Sequence, residues 1–280
     1  MKQMQKVLAL VSGLFGIAIL PTLLADTGLQ GPMVQGGLVQ GKAAPGSQVE
    51  MDGERVRVSD EGVFLIAFGR DHAAASRLRV IQPDGKVEER VLKVMPREYD
   101  IQRIDGLPKR KVSPQKMDLE RIRRESAQAK AARKRDDPRT DFLSGWIWPV
   151  QGPISGVYGS QRILNGEPRR PHFGVDIAVP EGTPVRAPAD GVVTLAHPGM
   201  FFSGITLIID HGHNLSSSFL HLSRVLVKEG DRVRQGDLIA EVGKTGRVTG
   251  AHLDWRMNYH SARIDPQLLV PPMEGNVTGE

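Results

Sequence analysis

Along most of this chain the apolar residues recur at every second position, in short runs broken by Gly, Pro and Asp. That period predicts a mainly β protein. Between Gly37 and about Met95, Arg55-Val56-Arg57-Val58 alternates, and Phe64-Leu65-Ile66-Ala67-Phe68 sets its two aromatics on one face. Leu78-Arg79-Val80 and Val91-Leu92-Lys93-Val94 complete the set, with Asp52-Gly53 and Asp84-Gly85 as hairpin signals. The expectation over residues 26–96 is a small antiparallel β-sandwich, Ig-like in general shape. Pro96, Pro108 and Pro114 then predict an extended linker. A helix follows from about Pro114 to Arg135, with Ser113 as its cap and Pro114 at the first helical position. Met117, Leu119, Ile122, Ala127, Ala129 and Ala131 give it only a weak apolar stripe. From Gly145 onward the chain reads as strands again, strongest at Val192–Leu195 and Ile205–Ile209, with two short strands between Gly230 and Ala240.

The N-terminus breaks the β pattern. Lys2 and Lys6 precede an apolar run from Val7 to Ala25, which reads as a secretory signal peptide cleaved near Ala25. The run approaches the roughly 20 apolar residues of a membrane span, so an uncleaved anchor is the other reading. The expected organisation is therefore a signal peptide at 1–25, a small β-sandwich domain at 26–96, a basic linker with a helix at 97–144, an all-β domain at 145–270 and a tail at 271–280. An exported protein of this kind belongs in the periplasm or cell envelope.

Composition narrows the chemistry. The chain has 280 residues and no cysteine, which excludes disulfides and thiolate metal sites. Its net charge of +5 is concentrated. Residues 109–139 hold twelve Lys and Arg against five Asp and Glu, a surplus of seven. Such a segment could meet an anionic envelope surface or remain a solvated helix. Nucleic acid is not an expected partner of an exported chain, and no oligomeric state follows from the sequence.

The residues that carry chemistry lie near the C-terminal end. His172 and Asp176 are four apart in Pro171-His172-Phe173-Gly174-Val175-Asp176; His252 and Asp254 are two apart in Gly250-Ala251-His252-Leu253-Asp254-Trp255; His221 lies between the pairs. These are ligand types for a hard-to-borderline divalent ion, and three ligands with an open fourth position would make a catalytic rather than a structural site. Tyr158 and Arg162, just upstream, could line a groove. His211-Gly212-His213 reads as a solvated loop at a strand end, His197 and His260 as surface residues, and Trp255 as packing.

The order of motifs supports a resemblance. His172-Phe-Gly-Val-Asp176, Gly182-Thr-Pro-Val185, Ala187-Pro-Ala-Asp-Gly-Val-Val193, Phe219-Leu-His221-Leu222, Gly230-Asp-Arg-Val-Arg-Gln-Gly236, Gly243-Lys-Thr-Gly246 and Thr249-Gly-Ala-His252-Leu-Asp254 follow in sequence. Over about residues 145–267 the chain resembles the lysostaphin/LytM-type zinc metallopeptidases, the peptidoglycan endopeptidases with a duplicated hybrid motif. The resemblance implies a C-terminal domain of the barrel-sandwich hybrid type, a zinc cofactor and the peptide stems of peptidoglycan as substrate. It implies His172, Asp176 and Asp254 as metal ligands and His221 and His252 as catalytic histidines, one taking a proton from water and the other meeting the oxyanion. The family usually has His where this chain has Asp254. Carboxylate oxygen binds zinc well, at about 2.0–2.2 Å. Two carboxylates would cancel a divalent ion's formal charge, make bound water less acidic and favour a harder ion such as manganese. The alternative is a non-catalytic, degenerate member that recruits or activates another cell-wall hydrolase.

Overall fold

A computed structural model describes residues 28–107, 110 and 113–273. The expected signal peptide lies outside the described residues. The chain is mainly β, with an all-β C-terminal domain. Its first strands are β1 (Leu38–Lys42), β2 (Gln48–Met51), β3 (Glu54–Val56), β4 (Val63–Ala67), β5 (Ala75–Ile81) and β6 (Val87–Lys93). β1 pairs with β4, and β3-β2-β5-β6 form a second antiparallel sheet. Asp52 and Gly53 join β2 to β3 with φ of 51° and 85°, the left-handed pair a two-residue hairpin requires. Strand β4 is buried on both faces. Phe64, Ile66 and Phe68 enter an apolar cluster with Val39, Val49, Leu78 and Val80. Val63 and Leu65, on the other face, join the core of the C-terminal domain. A strand covered on both sides reads as a continuous apolar run rather than an alternating one.

The segment expected to be an extended linker contains a strand, β7 (Ile101–Ile104). It runs parallel to β9 (Gln161–Leu164), which turns through Asn165-Gly166 into β10 (Glu167–Pro168). Asn165 fastens it further, accepting from the Leu107 amide at 3.1 Å and donating to the Leu107 carbonyl at 2.7 Å. The long helix α1 (Lys116–Ala132) is also shorter than expected, and Gln115 rather than Ser113 occupies the cap position. The Gln115 amide donates to Asp118 Oδ2 at 3.2 Å, and Arg110 Nε donates to the same oxygen at 2.8 Å. Polar pins replace the missing apolar stripe. Arg121 donates to the Gly199 carbonyl at 2.8 Å, and Glu125 accepts from the Phe201 amide at 2.6 Å. Ala129 and Ala132 complete the contact against Leu195, Met200 and Ile208.

The C-terminal domain is built on one large antiparallel sheet. Its strands are β8 (Ile154–Gly156), β11 (Val175–Ile177), β12 (Pro184–Arg186), β13 (Gly191–Met200), β14 (Gly204–Asp210), β15 (Leu215–Val225), β16 (Arg232–Val233), β17 (Leu238–Val242), β18 (Leu253–Tyr259) and β19 (Ala262–Ile264). The main path runs β16-β13-β14-β15-β18-β11-β8; β17 bridges β12 and β15, and β19 extends β18. Leu253, Trp255 and Met257 of β18 face the core, where Trp255 meets Trp148 edge-on at 5.8 Å between ring centroids. The period of two therefore sends Asp254 and Arg256 to the opposite face, and that face carries the candidate site.

His211 and His213 are not solvated, contrary to the sequence reading; both are buried. His211 Nδ1 lies 2.6 Å from the Asp190 carbonyl and Nε2 2.8 Å from Ser217 Oγ, so the ring ties three segments together. His213 packs edge-on against Phe142. Burial pushes His211 down to about 4 from the usual 6.5. Between those values the unfolded chain binds a proton that the folded imidazole rejects, so the stabilisation is present above pH ~6.5 and is lost as pH falls toward 4. The difference in Tm between the parent and His211→Gln is expected to be widest near pH 7.5 and to shrink at pH 4.5. A difference independent of pH would show that the ring does not titrate this way.

Candidate metal centre

Register brings the two key carboxylates together. In the β11–β18 pair, Asp176 stands directly opposite Asp254. Like charges facing across a ladder repel, so each needs a counter-charge. Arg162 donates to Asp176 Oδ2 at 2.6 Å. Arg256, two residues beyond Asp254 on the same strand face, spans both of its oxygens at 2.8 and 2.5 Å. Two glycines leave room for this crowding. A Cβ on Gly156 would sit 2.4 Å from Asp176 Oδ2, and one on Gly174 would sit 2.8 Å from Asp254 Oδ1.

His172 completes the cluster from the loop before β11. Its Nε2 lies 3.0 Å from Asp176 Oδ1, yet neither ring nitrogen nor that oxygen makes a hydrogen bond. Buried polar atoms without partners are rare in folded proteins. One ligand atom each from His172, Asp176 and Asp254 lies within 4.8 Å of the others, and all three residues are buried. A convergent set of one imidazole and two carboxylates, with the His172 nitrogens and Asp176 Oδ1 making no hydrogen bond, fits a zinc ion. Burial pushes the Asp254 carboxyl upward, but Arg256 and then His172 overcome it and hold it well below the usual carboxylate range. Asp176 is likewise raised by burial and lowered more by His172 and Arg162.

The other two histidines flank this cluster. His221 has φ of 64°, a left-handed conformation uncommon outside glycine. It sits at a bulge, where the pairing of β14 with β15 slips between Ile205–Leu222 and Leu207–Phe219. The bulge re-aims a side chain that a regular strand would send elsewhere. Its Nδ1 lies 2.8 Å from the Thr245 carbonyl, an acceptor, so Nδ1 carries the proton and Nε2 is left as acceptor, 3.9 Å from Asp254 Oδ2. Burial lowers His221 to about 4, which keeps it neutral near pH 7. His252 precedes β18; its Nδ1 lies 3.0 Å from the Gly250 carbonyl and its Nε2 3.9 Å from Asp176 Oδ1. The two rings stand 5.0 Å apart.

The structure thus brings together His172, Asp176, His221, His252 and Asp254, and Arg162 reaches the cluster through Asp176. Tyr158 does not line a groove, which corrects the sequence reading. Only 1% of its surface is exposed, and its hydroxyl donates to the Arg263 carbonyl at 2.7 Å. Arg256 is the residue that sequence reasoning missed. Its signal was present as an acid and a base two apart on a strand, which share a face. Its presence changes the charge argument. With Arg162 and Arg256 counted, the two carboxylates are formally neutralised before any ion binds, so they would not cancel a divalent ion's charge, while their oxygen donors still suit a harder ion as well as zinc.

The sequence profile of peptidase family M23 matches residues 170–266, a span that contains all five candidate residues. A crystal structure of a Pseudomonas aeruginosa protein assigned to peptidase M23 superposes with a TM-score of 0.66 at 31% identity, covering 84% of this chain and 94% of that one. The chain belongs to peptidase family M23. Among M23 relatives, peptidoglycan DD-endopeptidase ShyA of Vibrio cholerae is 38% identical over 124 residues, 40% of this chain and 28% of its own length. The lipoprotein NlpD/LppB homolog of Pseudomonas aeruginosa is 34% identical over 129 residues, 46% of this chain and 41% of its own length. The chain therefore spans less than half the length of these curated relatives.

Proposed function

We propose that this M23 chain is a zinc-dependent endopeptidase that hydrolyses peptide cross-links of bacterial peptidoglycan during cell-wall remodelling. The observation that carries the reading is the buried cluster of His172, Asp176 and Asp254, with orphaned donors on the first two, beside two imidazoles. His172, Asp176 and Asp254 would hold the ion. A bound zinc supplies Lewis acidity and makes water acidic enough to ionise near pH 7. The chain's own residues do the rest. His221 Nε2 is poised to accept a proton from water and return it to the leaving amine, its tautomer fixed by the Thr245 carbonyl. The more exposed His252, whose Nδ1–H is held by the Gly250 carbonyl, would donate to the developing oxyanion through Nε2 only as an imidazolium. Arg162 orients Asp176, and Arg256 orients Asp254.

The same reading takes residues 1–25 as an export signal or anchor, residues 26–96 and 145–270 as the two folded domains, and the periplasm or cell envelope as the site of action. The names of the relatives, ShyA above all, support peptidoglycan as the substrate. One observation favours the second reading, a non-catalytic adaptor for another wall hydrolase. Both carboxylates already have guanidinium partners, so the cluster can be charge-neutral without an ion. Equilibrium dialysis against zinc separates the two. The expected result is one zinc per parent chain and none in Asp176→Ala. A parent that retains no zinc would point to the adaptor.

A further inference from the structure

A cavity of about 800 Å³ lies between helix α1 and the face of β15 and β18 that carries Arg256 and Asn258. Helix α1 and the turn after it contribute Lys130, Arg133 and Lys134 to its wall, and the C-terminal domain contributes Arg170, Arg256 and Arg263. The only acid among the lining residues, Glu125, is committed to Arg121 at 2.6 Å and to the Phe201 amide at 2.6 Å. Arg256 is committed to Asp254. The other five cations have no carboxylate partner among the described residues. Arg133 is half-buried, and its guanidinium donates only to the Ser218 hydroxyl, at 3.2 and 3.3 Å. Arg263 donates to Asn258 Oδ1 at 2.9 Å. Burial first, and then neighbouring arginines, push Arg133 down to about 9 and Arg263 to about 10. Ser216, on the same face of β15 as Ser218, buries a hydroxyl with no partner. Lys130, Lys134 and Arg170 are exposed, but Arg133 and Arg263 are half-buried without a counter-charge, which is costly, and an anion between them relieves that cost.

We propose that this cavity is a carboxylate-binding subsite that seats a charged part of the peptide substrate. The inference rests on the peptidase reading and deepens it. Arg256 joins the two places, since it lines the cavity and also grips Asp254 of the metal cluster. A ligand held there lies next to the reacting centre. Guanidinium forks match planar carboxylates in geometry as well as charge, and peptidoglycan stem peptides carry several free carboxylates. The space is that of a small-ligand pocket rather than a lone-ion site. Arg133, Arg256 and Arg263 lie between the end of α1 and the sheet rather than on a flat face, which favours a peptide over a membrane headgroup.

The test is calorimetric binding of the tetrapeptide L-Ala-γ-D-Glu-meso-diaminopimelate-D-Ala to the full chain, beside the same peptide with every carboxyl amidated. The tetrapeptide carries no cross-link, so its binding is read whether or not the chain hydrolyses anything. Failure of the subsite and failure of the peptidase reading thus give different results. The free-acid peptide is expected to bind about tenfold more tightly than the amide. Arg133→Gln and Arg263→Gln are each expected to weaken it about fivefold or more, and Arg123→Gln, on the exposed side of α1, to leave it unchanged. Equal binding of the two peptides, or parental affinity in both cavity variants, would overturn the proposal. So would Arg133-dependent binding of phosphatidylglycerol vesicles with no binding of the tetrapeptide, which would assign the cavity to a headgroup instead.

Discussion

Arg256→Ala is expected to be the most destabilising single change at the site. Asp254 has no solvent exposure, and Arg256 spans both its oxygens. Truncation leaves a buried carboxylate whose nearest cationisable neighbour on the other side is His221, 3.9 Å away. Removing one partner of a buried ion pair costs about 3–5 kcal/mol. For a chain of this size that corresponds to a fall in Tm of about 6–20 °C. The effect should have two signatures. First, the deficit should shrink as pH falls, because a protonated Asp254 needs no counter-charge. In the parent, Asp254 is held below the usual carboxylate range, so its contribution is present at neutral pH and lost on acidification. Second, zinc should restore part of the loss, by about 2.7 kcal/mol at a hundredfold excess over its Kd. Thermal melts of parent and variant at pH 7.5 and pH 4.5, with and without zinc, measure all of this. A variant that melts with the parent at both pH values would show that Asp254 does not depend on Arg256.

The second large effect belongs to His221. Its backbone is held in the left-handed region at a bulge, and its Nδ1–H is fixed by the Thr245 carbonyl. Non-glycine residues keep such a conformation only where the surroundings impose it, commonly at functional sites. His221→Ala removes the imidazole without touching any of the three metal donors. Hydrolysis is expected to fall about 10²–10⁴-fold, the usual share of a general acid–base group, while one zinc per chain is still bound. Relief of the left-handed strain offsets little, because alanine is strained at that φ as well. Retained zinc with lost turnover would separate His221 from the ligands. Retained turnover would move the proton-transfer role to His252.

Much of the candidate site was legible because its residues sit in short, ordered motifs. His172 and Asp176 frame a turn into β11, and His252, just before β18, is two residues from Asp254 on it, so the period of two sends both to one side. What the sequence could not carry was pairing across the sheet. That Asp176 stands opposite Asp254 depends on the β11–β18 register, which no local pattern encodes. The same gap hid Arg162 as the partner of Asp176, although the residue itself was picked out. Tyr158 was misread because a tyrosine at a strand end looks the same whether it faces a groove or the Arg263 carbonyl. His211 was misread because two histidines around a glycine look polar, and only the fold shows that Asp190 and Ser217 satisfy one of them internally. In the upstream half, strand β7 was lost among prolines because its partner, β9, lies about 60 residues away. Helix α1 was found but its berth was not, since it is held by Arg121 and Glu125 rather than by an apolar stripe.

The most direct measurement of what this M23 chain does is mass spectrometry of muropeptides released from cross-linked peptidoglycan in the presence of zinc. The parent would be compared with Asp176→Ala and His221→Ala. The expected result is uncross-linked stem peptides from the parent alone, with the released masses naming the bond that is cut. Cross-linked peptidoglycan left intact by a parent chain that holds its zinc would contradict the peptidase reading, as would release of the same products by Asp176→Ala.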